Sequence, residues 1–84
     1  MKILYFAWFR DRIGMAEEEI ELTGTDTLIV RDFIRDLAGR GDGYAAAFED
    51  MNVVHVALDM QEVDHDTIIG GASEIAFYPP FTGG

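Results

Sequence analysis

The 84-residue sequence contains no cysteine, only two prolines and very few basic residues. Without cysteine, the chain has no disulfide bond, no thiol nucleophile and no cysteine-ligated metal site. Six bases, of which Lys2 is the only lysine, stand against sixteen acids and leave a net charge of −10. This balance excludes the basic patch that binding to nucleic acid phosphates requires. The negative charge favours a partner with a basic groove, and solubility alone is an equally good explanation of it.

Long hydrophobic runs are also lacking. The apolar stretch 3–9 is followed at once by Arg10, Asp11 and Arg12, so it is too short to span a bilayer, and no signal-peptide cleavage site follows it. The overall hydrophobic content of 49% is nevertheless that of a folded chain, and the length suits a single core. We therefore expect one cytoplasmic domain without a membrane partner.

Hydrophobic periodicity predicts five strands and one main helix. The predicted strands are 2–9, 17–22, 53–58, 61–63 and 74–78, with a loop over 10–14 and a short helical turn over 44–48. The helix is predicted over 27–39, because its apolar residues recur three or four positions apart; they are Val30, Phe33, Ile34 and Leu37. The order predicts an α+β fold of the β-grasp type, a mixed five-stranded sheet with one main helix on one face.

The last residues of the chain form an unusual tail. Pro79 and Pro80 follow the fifth strand directly and cannot continue a sheet ladder, so we divide the chain into a domain 1–78 and an extended tail 79–84. Phe81 and Thr82 lead from the prolines to Gly83 and Gly84. Six extended residues reach about 20 Å, and the two glycines make the tip as thin as a polypeptide can be. The tail is either a loose glycine-rich end or a segment that presents the Gly84 carboxylate to a partner's active site.

Three aromatic residues are candidates for a partner surface. Phe6 and Trp8 would lie on one face of the first strand, and Tyr78 lies near the end of the last. Because one helix covers only one face of a sheet, the three rings are predicted to form an apolar patch on the other face. The alternative is that they complete the core.

Other candidate sites are weak. His55 lies in a strand, and His65 lies between Asp64 and Asp66 in a predicted solvated loop, without the spacing of metal ligands. We expect no metal site. The acidic run 17–19 fits general acid–base chemistry less well than a charged edge strand that opposes aggregation.

With these elements in place, the sequence resembles the small, ubiquitin-like sulfur carrier subunit of molybdopterin synthase, the MoaD family. The resemblance rests on the opening 3–14, ILYFAWFRDRIG, and on the ending 74–84, EIAFYPPFTGG. Two turns depart from the family pattern: Asp59 stands where asparagine is usual, and 71–74 reads GASE where DGDE is usual.

The resemblance implies a function centred on Gly84. An ATP-dependent activating enzyme of the MoeB type would adenylate its carboxylate, and sulfur would replace AMP to leave a thiocarboxylate. The tail, Pro79 to Gly83, would then enter the large synthase subunit, of the MoaE type, and Gly84 would deliver sulfur to cyclic pyranopterin monophosphate. The chain itself would bind no cofactor and would not be an enzyme alone. Phe6, Tyr78 and Trp8 would contact the partner.

Three alternatives remain open at this point. The first is another β-grasp sulfur carrier, which serves thiamine or another sulfur-requiring pathway, and the second is a ubiquitin-like protein modifier joined to lysines through Gly84. A plain interaction module with incidental glycines is the third.

Overall fold

A computed structural model describes residues 1–80 of the chain. The tail residues Phe81, Thr82, Gly83 and Gly84 lie outside the described residues, so the predictions made for them rest on the sequence. The strands are β1 (Lys2–Tyr5), β2 (Glu17–Glu19), β3 (His55–Leu58), β4 (Gln61–Val63) and β5 (Glu74–Tyr78); the helices are α1 (Trp8–Ile13), α2 (Val30–Ala38) and α3 (Asp42–Ala47).

The five strands form one mixed sheet in the order β2-β1-β5-β3-β4. β5 lies at its centre, parallel to β1 and antiparallel to β3. The outer pairs, β1 with β2 and β3 with β4, are antiparallel. This arrangement confirms the predicted α+β β-grasp fold, with α2 as the main helix and two short helices in addition.

The core lies between the sheet and the helices. Ile3 and Tyr5 of β1 and Ile75 and Phe77 of β5 are buried on one face of the sheet. The Phe77 ring is the centre of this core, because rings from β1, α1, α2 and the end of α3 pack around it. Its ring neighbours are Tyr5, Phe9, Phe33 and Phe48, with centroid distances of 5.0 to 6.5 Å. The four predicted apolar positions of the main helix are all buried.

The predicted first strand is wrong beyond Tyr5. Ala7 has φ 51° and ψ −127°, and this turn ends the strand; α1 then replaces the predicted end of the strand and most of the predicted loop. α1 buries Phe9 and half-buries Ile13, which are four positions apart and so share one face of a helix. The apolar run is therefore a strand, a turn and a helix.

Close contact between α1 and α3 depends on Gly43. A Cβ atom on this residue would overlap the carbonyl oxygen of Arg12. The Arg12 guanidinium in turn donates to the carbonyl oxygen of Ala46, at 2.9 Å. Gly43 thus lies within α3 and allows the two helices to pack.

The side chain of Asp59 fixes the approach to β5. It lies in the turn between β3 and β4 and accepts hydrogen bonds from the backbone N–H groups of Ser73 and Glu74, at 2.9 and 3.0 Å. The two turns in which the sequence departs from the resembled family are therefore bonded to each other.

We predict that Ala7→Gly stabilises the protein. A non-glycine residue at this φ and ψ costs on the order of 1–3 kcal/mol, so removal of the Cβ should raise the free energy of unfolding by about 1 kcal/mol. Urea unfolding followed by circular dichroism measures the change.

The matched control is Ala45→Gly, at an exposed position inside α3. There, glycine should lower the free energy of unfolding by up to about 1 kcal/mol, because it disfavours a helix. Equal destabilisation by both substitutions would contradict a strained backbone at Ala7.

Candidate functional site

A shallow groove of about 510 Å³ lies on the face of the sheet opposite the described helices. The side chains of Leu4, Ala57 and Ala76, from three neighbouring strands, lie along it. Its lining includes the apolar residues Leu4, Phe6, Ala57, Met60, Ala76 and Pro79, together with Tyr78 and two carboxylates, Glu62 and Glu74. We call this surface the apolar groove.

Two turns project large side chains beside the apolar groove. Phe6 is 49% exposed, because β1 ends at Tyr5 and the turn at Ala7 follows at once. Met60 is 89% exposed, in a β3–β4 turn where Asp59 and Met60 both have positive φ. Exposed side chains of this kind are typical of partner surfaces.

The structure brings together two of the three aromatic residues predicted to bind a partner. Phe6 and Tyr78 both line the apolar groove. Trp8 does not, because it belongs to α1 on the other side of the Ala7 turn. There it packs on Phe9, at 5.4 Å between ring centroids, and lies under the guanidinium of Arg12. The prediction for Trp8 assumed a strand of 2–9.

The tail begins at the end of the central strand. Tyr78 is the last residue of β5, and Pro79 and Pro80 follow it. Phe6 lies beside this point, since its backbone N–H donates to the carbonyl oxygen of Phe77 at 3.1 Å. The first tail residue, Pro79, also lines the apolar groove. A partner in the groove would therefore touch the start of the tail.

A polar cluster of Tyr78, Glu62 and His55 lies where the tail begins; we call it the tail-root cluster. The Tyr78 hydroxyl donates to Glu62 Oε1 at 2.6 Å, and His55 Nδ1 lies 3.2 Å from the same oxygen. The hydrogen bonds from Tyr78 and His55 lower the pKa of Glu62. Desolvation and the carboxylate of Glu62 raise the pKa of Tyr78 to about 12. Glu62 cannot be recognised as a site residue from the sequence, because no short-range pattern links it to Tyr78.

The acidic strand β2 has two roles rather than one. Glu17 and Glu19 pair with Lys2 and with the amino terminus, on an edge strand as predicted. Glu18 points the other way and accepts hydrogen bonds from the hydroxyls of Tyr5 and Tyr44, both at 2.7 Å. Burial and this carboxylate raise the pKa values of both tyrosines. Glu18 thus anchors α3 to the sheet.

The histidines do not converge with other ligands. His65 Nε2 lies 2.7 Å from the carbonyl oxygen of Val54, so this half-buried side chain holds its loop to the start of β3 and is not simply solvated. Within residues 1–80, no three His, Asp or Glu side chains are placed to hold a metal ion. In the same part of the chain, no helix is long and apolar enough to cross a membrane.

Comparison with known proteins finds a family and several relatives that match almost the whole chain. The sequence matches the ThiS family over residues 3–84. It is 32% identical to a molybdopterin synthase sulfur carrier subunit of Haemophilus influenzae and 31% identical to that of Escherichia coli; each comparison covers 100% of this chain and 99% of the relative. A solved Pyrococcus furiosus structure, described as a molybdopterin converting factor, subunit 1, is 30% identical, with a TM-score of 0.70 over 95% of each chain.

We predict that Tyr78 stays protonated in the folded protein to unusually high pH. Because its pKa of about 12 lies above the ordinary value of 10.0, its contribution to stability is complete below pH 10 and is lost as the pH rises through 12. Ring carbon chemical shifts measured by NMR from pH 8 to 12 report this titration directly.

Glu62→Ala should lower the pKa of Tyr78 only partway toward 10, because desolvation, the larger cause, remains. Glu74→Gln is the control, since it removes another carboxylate of the same groove. An unchanged Tyr78 titration in Glu62→Ala would contradict the hydrogen bond.

Proposed function

Because the chain belongs to the ThiS family and is about one-third identical, over its whole length, to sulfur carrier subunits of molybdopterin synthase, we propose that it is such a carrier. The observation that carries the proposal is the position of the tail. It begins at the end of the central strand, beside an apolar groove that a larger subunit can cover. The family match also continues through residue 84, into the Gly-Gly ending.

The reacting group is the α-carboxylate of Gly84. A carboxylate is ionised at neutral pH and is a poor electrophile, so it requires activation. An activating enzyme of the MoeB type transfers AMP from ATP to a carboxylate oxygen and releases pyrophosphate. A sulfur nucleophile then forms a C–S bond to the Gly84 carbonyl carbon, and AMP departs with that oxygen. The product is a thiocarboxylate, whose soft sulfur is the group to be transferred.

Sulfur transfer takes place in the large subunit, of the MoaE type. There the thiocarboxylate sulfur bonds to a carbon of cyclic pyranopterin monophosphate as an oxygen substituent leaves that carbon. Water then cleaves the C–S bond of the resulting thioester at the Gly84 carbonyl carbon, which leaves the sulfur on the pterin and returns the carboxylate. A dithiolene needs two sulfur atoms, so the carrier must leave and be loaded again. The chain is therefore a non-catalytic subunit that binds no cofactor itself, and ATP belongs to the activating enzyme. We propose that these steps take place in the cytoplasm.

Phe6 and Tyr78 are the proposed contacts with the large subunit. Both line the apolar groove, and aromatic residues are enriched in the buried centres of interfaces. The sheet side of the molecule also carries the exposed acids Glu17, Glu19 and Glu62. A partner with basic residues around an apolar centre would match this surface.

A carrier that serves another sulfur-requiring pathway is the second candidate, because the matching family is named ThiS, whereas the relatives are molybdopterin synthase subunits. Activation at Gly84 would be the same in both cases. The two differ in the acceptor, so transfer to cyclic pyranopterin monophosphate decides between them.

We predict a gain of about 16 Da in intact mass when the protein is incubated with ATP, a MoeB-type enzyme and a sulfur source, because one oxygen is exchanged for sulfur. Deletion of Gly84 should abolish this gain and all sulfur transfer, while binding to the large subunit is retained. Absence of the gain with an activator that loads a known carrier would reject the proposal, and a plain interaction module would be unaffected by the deletion.

We predict that Phe6→Asp weakens binding to the large subunit at least about tenfold, because it places a charge in the centre of the contact surface. Isothermal titration calorimetry measures the affinity. Ile68→Asp is the matched control: Ile68 is 52% exposed, close to the 49% of Phe6, but it does not line the groove. Equal losses for both variants would place the contact elsewhere.

A further inference from the structure

The tail-root cluster joins strands that are not neighbours. Tyr78 belongs to β5 and Glu62 to β4, and β3 lies between them. Two strand spacings separate their backbones by about 10 Å, so only long side chains can close the gap. His55, on the intervening strand, lies opposite Tyr78 in the β3–β5 register, with ring centroids 5.7 Å apart, and completes the bridge.

The hydrogen bond from the Tyr78 hydroxyl to the Glu62 carboxylate is a strong, charge-assisted one. At 2.6 Å it has the length of a hydrogen bond between a hydroxyl and a charged carboxylate. The lowered pKa of Glu62 and the raised pKa of Tyr78 both favour the same pairing, a neutral hydroxyl with an ionised carboxylate. Tyr78 therefore keeps one side-chain orientation over the range of pH in which proteins work.

The two residues that follow Tyr78 cannot be held in place by hydrogen bonds donated from their backbone. Pro79 and Pro80 have no backbone N–H, so they cannot donate to a neighbouring strand. Their nitrogen atoms therefore form no hydrogen bonds to a neighbouring strand, and such bonds cannot set the direction of the chain here. The Tyr78 side chain supplies, one residue earlier, an attachment that the prolines cannot supply.

A contribution to stability alone does not account for the cluster. Glu62 is exposed, and hydrogen bonds and ion pairs at exposed positions add little to stability. The surrounding groove is largely apolar, so a phenylalanine at position 78 would fill the same space without a hydroxyl that needs a partner. This polar bridge lies at the place where the tail leaves the sheet.

We propose that the tail-root cluster is a positioning device for sulfur transfer, in which Glu62 and His55 hold Tyr78 and so fix the direction in which the tail leaves the sheet. This inference rests on the proposed function of Gly84 as the sulfur-bearing residue. A fixed origin raises the fraction of docked complexes whose tail reaches the partner's active site, which lowers the entropic cost of the transfer step. The three residues are positioning residues, because none of them touches the reacting atoms.

The test is single-turnover sulfur transfer from thiocarboxylated carrier to cyclic pyranopterin monophosphate, at saturating large subunit, with the dissociation constant measured separately. Tyr78→Phe retains the ring and removes only the hydroxyl. It should slow transfer about tenfold at saturation, where a change in the dissociation constant no longer affects the rate. Glu62→Ala should have the same effect, because it removes the other half of the bond.

Two further variants separate positioning from charge. Glu62→Gln keeps an acceptor oxygen for the Tyr78 hydroxyl, so its transfer rate should stay within about threefold of that of the unmodified chain. Glu21→Gln removes an exposed carboxylate outside the groove and should leave the rate unchanged. The double variant, with Tyr78→Phe and Glu62→Ala together, should be no slower than either single variant, because both remove one interaction.

The possible results are distinct. Unimpaired transfer by Tyr78→Phe and Glu62→Ala would overturn the inference and leave the proposed function intact. Weaker binding with an unchanged rate at saturation would also overturn it, because it would make the cluster part of the docking surface. If the unmodified chain itself transferred no sulfur, the proposed function would fail first and the inference with it.

Discussion

The parallel pairing of β1 with β5 is the interaction on which the rest of the structure depends. It places the carboxyl ends of the first and last strands at the same edge of the sheet, and a hydrogen bond from Phe6 N–H to the carbonyl oxygen of Phe77 extends it past β1. The Phe6 ring and the start of the tail are thereby neighbours, although more than seventy residues separate them in sequence. The same pairing places Phe77 at the centre of the core.

The distribution of the helices determines which face of the sheet is left open to a partner. Phe9, Phe33 and Phe48 all pack against Phe77, so α1, α2 and the end of α3 cover one face. The small side chains Ala57 and Ala76 leave a depression on the other face, and the exposed Met60 borders it. A core on one face and a groove on the other is what a small carrier requires, because docking then disturbs none of its core.

The sequence predicts the regular elements well and the turns poorly. α2 is recognisable because its apolar residues follow the helical period over the whole element, and β5 because it is a short apolar run that ends at two prolines. The segment 6–13 was misread because its unbroken apolar start is compatible with a strand, whereas the helical signal consists only of Phe9 and Ile13. Of the site, Phe6 and Tyr78 are predictable as aromatics close to the carboxyl ends of two neighbouring strands. The Tyr78–Glu62 bond is not predictable, because it depends on the spacing of non-adjacent strands.

The central position of β5 has a consequence for the synthesis of the protein. A sheet that lacks its middle strand leaves β1 and β3 unpaired, so a chain that stops before residue 74 cannot close its core. The contacts between β1 and β5 span most of the sequence, and their formation must await nearly the whole polypeptide. Cells that make this protein should therefore hold few folded molecules without the segment that leads into the tail.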